Sequence, residues 1–181
     1  MALHEPIDPS AMPTSATSGE AVDTIAKQIV QLVKAIEQGL PFSHGDKGGL
    51  TIDNPIGKSL KDGVLQVVAK RGQIQLPARE KDSYWLVIKQ NALFTALLAE
   101  LSLRYPMVCI VRNPVDVLLS WMTVDLPVNR GHIPAGERFD ARLKSSLQGE
   151  DCLSRELIIY QWFMGGFLSS TFPVTTTGSG L

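Results

Sequence analysis

The 181 residues carry 44% hydrophobic side chains and a net charge of −1, enough apolar content for one core and too little positive charge for general nucleic-acid binding. Two cysteines, Cys109 and Cys152, are too few for a disulfide framework and fit a reducing compartment. No charged flank with an apolar run marks a signal peptide, and the late apolar segment 157–168 is too short to span a bilayer, so a soluble, cytoplasmic protein is expected.

Residues 2–6 lead into a Pro/Ser/Thr/Ala-rich loop that lasts to about residue 18. Thr17-Ser-Gly-Glu20 reads as a capping box, and Val22, Ile25, Ala26, Ile29, Val33 and Ile36 form one face of a helix that stops at Gly39. Residues 41–63 read as loop, with turn signals at Gly48-Gly49, Asp53-Asn-Pro55 and Asp62-Gly63. Segments 64–69 and 73–76 suggest a small hairpin turning through Lys70-Arg71-Gly72. A strand at 84–88 and a helix using Leu93, Phe94, Leu97, Leu98 and Leu101 follow. One or two helices are expected from the loop at 125–133 to about residue 170, with Ile158, Trp162 and Phe163 as packing groups. The organisation is then a single domain over 1–170 with a disordered Thr/Gly/Ser-rich tail at 171–181.

The most informative stretch is Met107-Val-Cys-Ile-Val-Arg112-Asn113-Pro114-Val-Asp116-Val-Leu-Leu-Ser120-Trp121. Residues 107–111 read as a short strand buried on both faces, as in parallel sheets. Asn113 followed by Pro114 is a helix-start signal, an N-cap side chain before a proline whose φ suits the first turn. Arg112 is thereby placed at the carboxyl end of a strand beside a helix N-terminus, a location that favours anions. Val115, Leu118, Leu119 and Met122 should face the sheet, leaving Asn113, Asp116 and Ser120 on a neighbouring polar stripe. Strands 84–88 and 107–111, separated by a helix, predict a right-handed βαβ crossover within one sheet, and the ligand site at the sheet edge depends on it.

This arrangement resembles the 3′-phosphate-binding motif of sulfotransferases that use 3′-phosphoadenosine-5′-phosphosulfate (PAPS), in which a strand ends in Arg-Asn-Pro and a serine follows eight residues after the arginine. Arg112 and Ser120 fall on those positions. Tyr84-Trp-Leu-Val-Ile-Lys89-Gln-Asn91-Ala-Leu-Phe94 is similar to the preceding strand and its lysine, especially in bacterial sulfotransferase-like proteins with an Ile-Lys-x-Asn-Ala-Leu-Phe segment. The match covers about residues 84–168. It implies a three-layer α/β fold with a parallel central sheet, of the P-loop nucleoside-triphosphate-hydrolase-like sulfotransferase kind. It further implies PAPS as co-substrate, no metal, and a small-molecule or carbohydrate acceptor with a hydroxyl or amine. Arg112, Ser120 and Asn113 become the cofactor-binding residues. Of the family's strand-end Lys-x-His, Lys89 is kept as a catalytic residue, while Asn91 replaces the histidine and takes no proton at neutral pH. His4 and Glu5 are the alternative bases.

Two features depart from the family. Ile52-Asp-Asn-Pro-Ile-Gly57-Lys58-Ser59 ends like a Walker loop, but Ile52 stands where the first glycine belongs and no buried strand precedes it, so it is rejected as a phosphate loop. The family's last strand and basic covering segment are also not found, so the fold is expected to be incomplete at both ends and the chain alone a poor catalyst. Two other classes stay open: a noncatalytic nucleotide- or anion-binding remnant, and a P-loop kinase-like phosphotransferase. Plainer readings compete at each residue. Arg112 can form a surface ion pair with Asp116, Ser120 can bond back to a helix carbonyl, His4 and Glu5 can lie in a solvated tail, and Lys89 can be a surface lysine at a strand end.

Overall fold

The computed structural model describes residues 1–47, 50–51, 56–61, 63–68, 70–81, 83–169 and 174–176. The turn signals expected at 48–49, at 53–55 and at Asp62, and most of the expected tail, lie outside these residues. In chain order the elements are β1 (Ala2–His4), α1 (Ser18–Gln38), β2 (Phe42–Lys47), β3 (Leu50–Thr51), β4 (Ile56–Lys61), β5 (Val64–Val67), β6 (Lys70–Ile74) and β7 (Val87–Lys89). Then follow α2 (Asn91–Ala96), α3 (Leu98–Ser102), β8 (Cys109–Val111), α4 (Pro114–Met122), α5 (Pro134–Phe139), α6 (Ala141–Ser146), α7 (Cys152–Leu168) and β9 (Val174–Thr176). The class is mixed α/β. The chain divides into two compact units, Met1–Lys58 with Val67–Asn91 and Ser59–Gln66 with Ala92–Leu181.

The first unit is organised by α1. Its start is the expected capping box, in which the Thr17 hydroxyl accepts from the Glu20 amide and the Glu20 carboxylate accepts from the Thr17 amide. Gly39, at φ 64°, closes the other end in the left-handed conformation that only glycine adopts without strain. Val22, Ile25 and Ile36 are fully buried, each contributing about 1.5–3 kcal/mol of hydrophobic burial. Leu32, Ala35 and Ile36 join Leu3, Phe42 and Ile74 in one cluster, against which Tyr84, Leu86 and Ile88 pack. Residues 41–63 are not all loop: β2 pairs antiparallel with β6, with Phe42 opposite Ile74. Local Gly and Asp signals there are outweighed by a ladder to a distant strand, a pairing that local propensity does not report. The hairpin expected through residues 70–72 is not formed, because β5 pairs with β4 and β6 with β2.

The second unit is mainly helical. Ile133, Leu143, Leu147 and Ile159 form its core cluster, and Trp121, Ile158, Trp162 and Phe163 pack against it, the last three as the packing groups expected. The helix expected over residues 93–101 is broken at Leu97 (φ −115°, ψ 21°) into α2 and α3, while Leu93, Leu97, Leu98 and Leu101 are all buried. β8 pairs in parallel with β9, so residues 174–176 are a strand rather than part of a frayed tail.

The expected crossover is corrected by the sheet topology. Strand β7 pairs with β1 and strand β8 with β9, in separate two-stranded parallel sheets. The strand at 84–88 and the strand at 107–111 therefore do not form a βαβ unit, and no central parallel sheet is present among the described residues. Nor is either strand buried on both faces. Trp85 and Val87 are exposed, and Ile110 is 60% exposed while Cys109 beside it is buried. A continuous apolar run signals burial only when layers cover both faces of its sheet, and here one face is packed.

Candidate functional site

In the second unit, Arg112 follows the end of β8 and Asn113 caps α4. The Asn113 side-chain carbonyl accepts from the Val115 amide at 2.9 Å, Pro114 occupies the first helical position, and the Asn113 backbone carbonyl accepts from Val117 at 3.1 Å. This is the strand–turn–helix start that the residues predict. Among the described residues the Arg112 guanidinium has no hydrogen bond or ion pair, so the surface pair with Asp116 is not formed. Ser120 is also exposed. Its carbonyl accepts from the Thr123 amide and hydroxyl, at 3.2 and 2.8 Å, but its own hydroxyl makes no back-bond among the described residues. Ser102 and Ser146, by contrast, both spend their hydroxyls on helix carbonyls. A guanidinium, a serine hydroxyl and a helix N-terminus, all open to solvent, make a donor set suited to a phosphate dianion. Asp116, in the first turn of the same helix, opposes it with a negative charge.

The orientation of α4 differs from the expected one. Val115, Leu119 and Met122 are 59%, 56% and 55% exposed, so that stripe does not face a sheet. Val117, Leu118 and Trp121 are the half-buried residues instead. Trp121 decides the rotation: its ring packs into the unit's core cluster and lies 6.2 Å from the ring of Phe163. Across from the turn, the Tyr160 hydroxyl on α7 donates to the Arg112 carbonyl at 3.4 Å.

The first unit holds the other three candidates together. In the parallel β1–β7 pair, His4 is in register with Lys89, and the Glu5 amide donates to the Lys89 carbonyl at 2.7 Å. His4 and Glu5 are thus tied to a sheet, and the solvated-tail reading is corrected for their backbone. Leu3 and Ile88 turn to the core, which places His4 and Lys89 on the opposite face of the pair. Burial holds the His4 imidazole below its ordinary pKa, and the Lys89 charge adds to this. Glu5 pulls the other way, and His44 lowers it further. The lowered pKa favours the neutral imidazole, the form that accepts a proton. Glu5 has φ 50°, a left-handed conformation unusual for a side-chain-bearing residue.

Two neighbours escaped the sequence reading. His44 on β2 is 2% exposed, its ring edge-on to Phe42 at 6.4 Å. The alternation of Phe42 and His44 was a signal for it, in a stretch read as loop. Gln90, beside Lys89, is 8% exposed, and its side-chain carbonyl has no partner among the described residues. Asn91 opens α2 and is exposed.

Among the described residues, no group of three or more His, Cys, Asp or Glu side chains gathers as a metal would require. Cys109 and Cys152 are both free, the Cys109 thiol pushed up by burial. No helix among the described residues is long and apolar enough to cross a membrane. Gly57-Lys58-Ser59 lie on β4, with the turn at Gly63 and another strand after it, so this segment lacks the helix that a phosphate loop needs. No family model, curated protein or solved structure matches this chain.

Proposed function

We propose that this chain is a PAPS-dependent sulfotransferase, or a major part of one, in which Arg112, Ser120 and the Asn113-capped helix start bind the 3′-phosphate. The observation that carries the reading is local: an uncommitted arginine at a strand end, an N-capped helix directly after it, and a serine on that helix whose hydroxyl is not spent on the backbone. The sheet-edge site expected from a shared sheet is lost, since β7 and β8 lie in different ones, and the reading keeps only the local strand–turn–helix. The finer fold assignment, a sulfotransferase-type three-layer sheet, belongs to the proposal and rests on the sequence resemblance alone.

For the transfer step the resemblance assigns groups of the first unit, taken by itself: a base, His4 or Glu5, that takes the proton of the acceptor hydroxyl or amine as it attacks sulfur, and Lys89, which offsets negative charge on the departing phosphate oxygen as the S–O bond breaks. His4 and Glu5 stand as the alternative bases, both tied to the Lys89 strand by the β1–β7 pairing. The acceptor is a small molecule or carbohydrate carrying a hydroxyl or amine, and the reducing, cytoplasmic setting suits two free thiols.

A second reading, a nucleotide-binding module without transfer activity, is favoured by one observation. Gly57-Lys58-Ser59 lie on a strand, so they do not form the cradle that would orient a 5′-phosphosulfate. The same observation counts against a P-loop kinase. Calorimetry with adenosine 3′,5′-bisphosphate and adenosine 5′-monophosphate tests the site common to both readings. Tighter binding of the bisphosphate is expected, and equal affinity refutes the 3′-phosphate assignment.

A further inference from the structure

Helix α7 touches both ends of the candidate anion site. At one end the Tyr160 hydroxyl donates to the Arg112 carbonyl at 3.4 Å, bridging 48 residues of sequence. At the other, Phe163 packs its ring 6.2 Å from that of Trp121, the residue after Ser120. Tyr160 and Phe163 are three residues apart, so they share one face of α7 about a turn from each other. Phe167, 6.1 Å from Phe163, continues that row.

The separation these contacts set matters for a shared ligand. Ser120 lies six residues on from Pro114 along the helix, a rise of about 9 Å at 1.5 Å per residue. A guanidinium reaching from the turn meets a hydroxyl that far up the helix only if the Arg112 backbone stays in place. The Arg112 side chain has no anchor of its own among the described residues, and β8 is only three residues long. Restraint from outside the strand is therefore needed, and the Tyr160 bond supplies it at the last carbonyl before the cap.

We propose that Tyr160 is a positioning residue for the Arg112–Ser120 anion site, its hydroxyl holding the strand-to-helix turn so that both side chains reach one phosphate. The inference rests on the 3′-phosphate reading and adds to it a residue that contacts the site only through the Arg112 backbone. A bond of 3.4 Å is long for O–H···O and correspondingly weak. Removing it is expected to cost about three- to fivefold in the affinity that depends on Arg112.

The test compares wild type with Tyr160→Phe, which keeps the ring and deletes the hydroxyl, for both adenosine 3′,5′-bisphosphate and adenosine 5′-monophosphate. The expected result is a three- to fivefold loss of preference for the bisphosphate with unchanged affinity for the monophosphate. An unchanged preference, or an equal loss for both nucleotides, overturns the positioning role. A wild type that shows no preference sinks the anion-site reading itself, so the two failures are read on different proteins. A single 3-fluorotyrosine at position 160 of the otherwise native chain gives a second readout independent of the variant's folding. Its fluorine resonance should move with the bisphosphate and not with the monophosphate, and the same response to both refutes the proposal.

Discussion

Replacing Arg112 by alanine is the sharpest perturbation of the proposed site, because the guanidinium has no structural duty to confuse the outcome. It is exposed and unpaired among the described residues, so its removal leaves no buried partner unsatisfied and should leave the melting temperature nearly unchanged. The loss should fall on the ligand. A charge-assisted hydrogen bond is worth about 1.5–3 kcal/mol, and exposure to solvent and salt puts this one at the low end. A cost of about 1.4 kcal/mol is tenfold in affinity, so Arg112→Ala should weaken adenosine 3′,5′-bisphosphate about tenfold and the 5′-monophosphate hardly at all. Arg112→Lys should recover part of the loss, since it keeps the charge without the planar fork. Titration calorimetry in 0.05 M and 0.5 M salt gives a second handle, because a screened contact fades with ionic strength. A variant that binds both nucleotides as wild type does, or loses both alike, would remove Arg112 from the site.

Three further outcomes follow from the same geometry. Ile159, fully buried in the second unit's core, should cost about 2–5 kcal/mol when cut to alanine, read as a lowered midpoint in urea unfolding. The His4 imidazole should titrate by NMR below 6.5 and move upward in Lys89→Met; the unfolded chain protonates first, so this group lowers stability as pH falls below 6.5, and a midpoint at or above 6.5 contradicts the buried, cation-flanked placement. In a radiolabelled sulfate-transfer assay over a broad acceptor panel, the 181-residue chain should turn over slowly or not at all, since Gly57-Lys58-Ser59 on β4 do not orient a phosphosulfate; rapid turnover would show that another segment does.

What was legible in the sequence was chemistry read over a few residues. Thr17, Glu20 and Gly39 delimit α1 because caps satisfy backbone groups within one turn, and Asn113-Pro114 begins α4 for the same reason. Contacts between distant segments were not legible. Nothing in Met107–Val111 reveals that β8 pairs with residues 174–176 instead of the strand before α2. The face of α4 was misjudged because four aliphatic residues at helical spacing outvote one tryptophan in a pattern, whereas in the fold the larger ring takes the core. At the candidate site, Arg112, Asn113 and Ser120 were readable from the motif, and Lys89, His4 and Glu5 were named from the resemblance, but the register of His4 with Lys89 was not foreseen. Tyr160 reaches Arg112 through tertiary packing, which leaves no mark at either position, and the one signal for His44, its alternation with Phe42, lay in a stretch read as loop.

The β1–β7 pair also carries an expectation for the order of events during folding. Helix α1 contains its own start and stop, so it is expected to form early from local contacts. Joining Ala2–His4 to Val87–Lys89 closes a loop that spans nearly the whole unit, and the entropy of that closure is met only after β2, β6 and α1 have built the surface on which Leu3 and Ile88 settle. His4 and Lys89 are therefore expected to become neighbours late. A chain arrested before that step would have its helix and its antiparallel ladder but not the His4–Lys89 register.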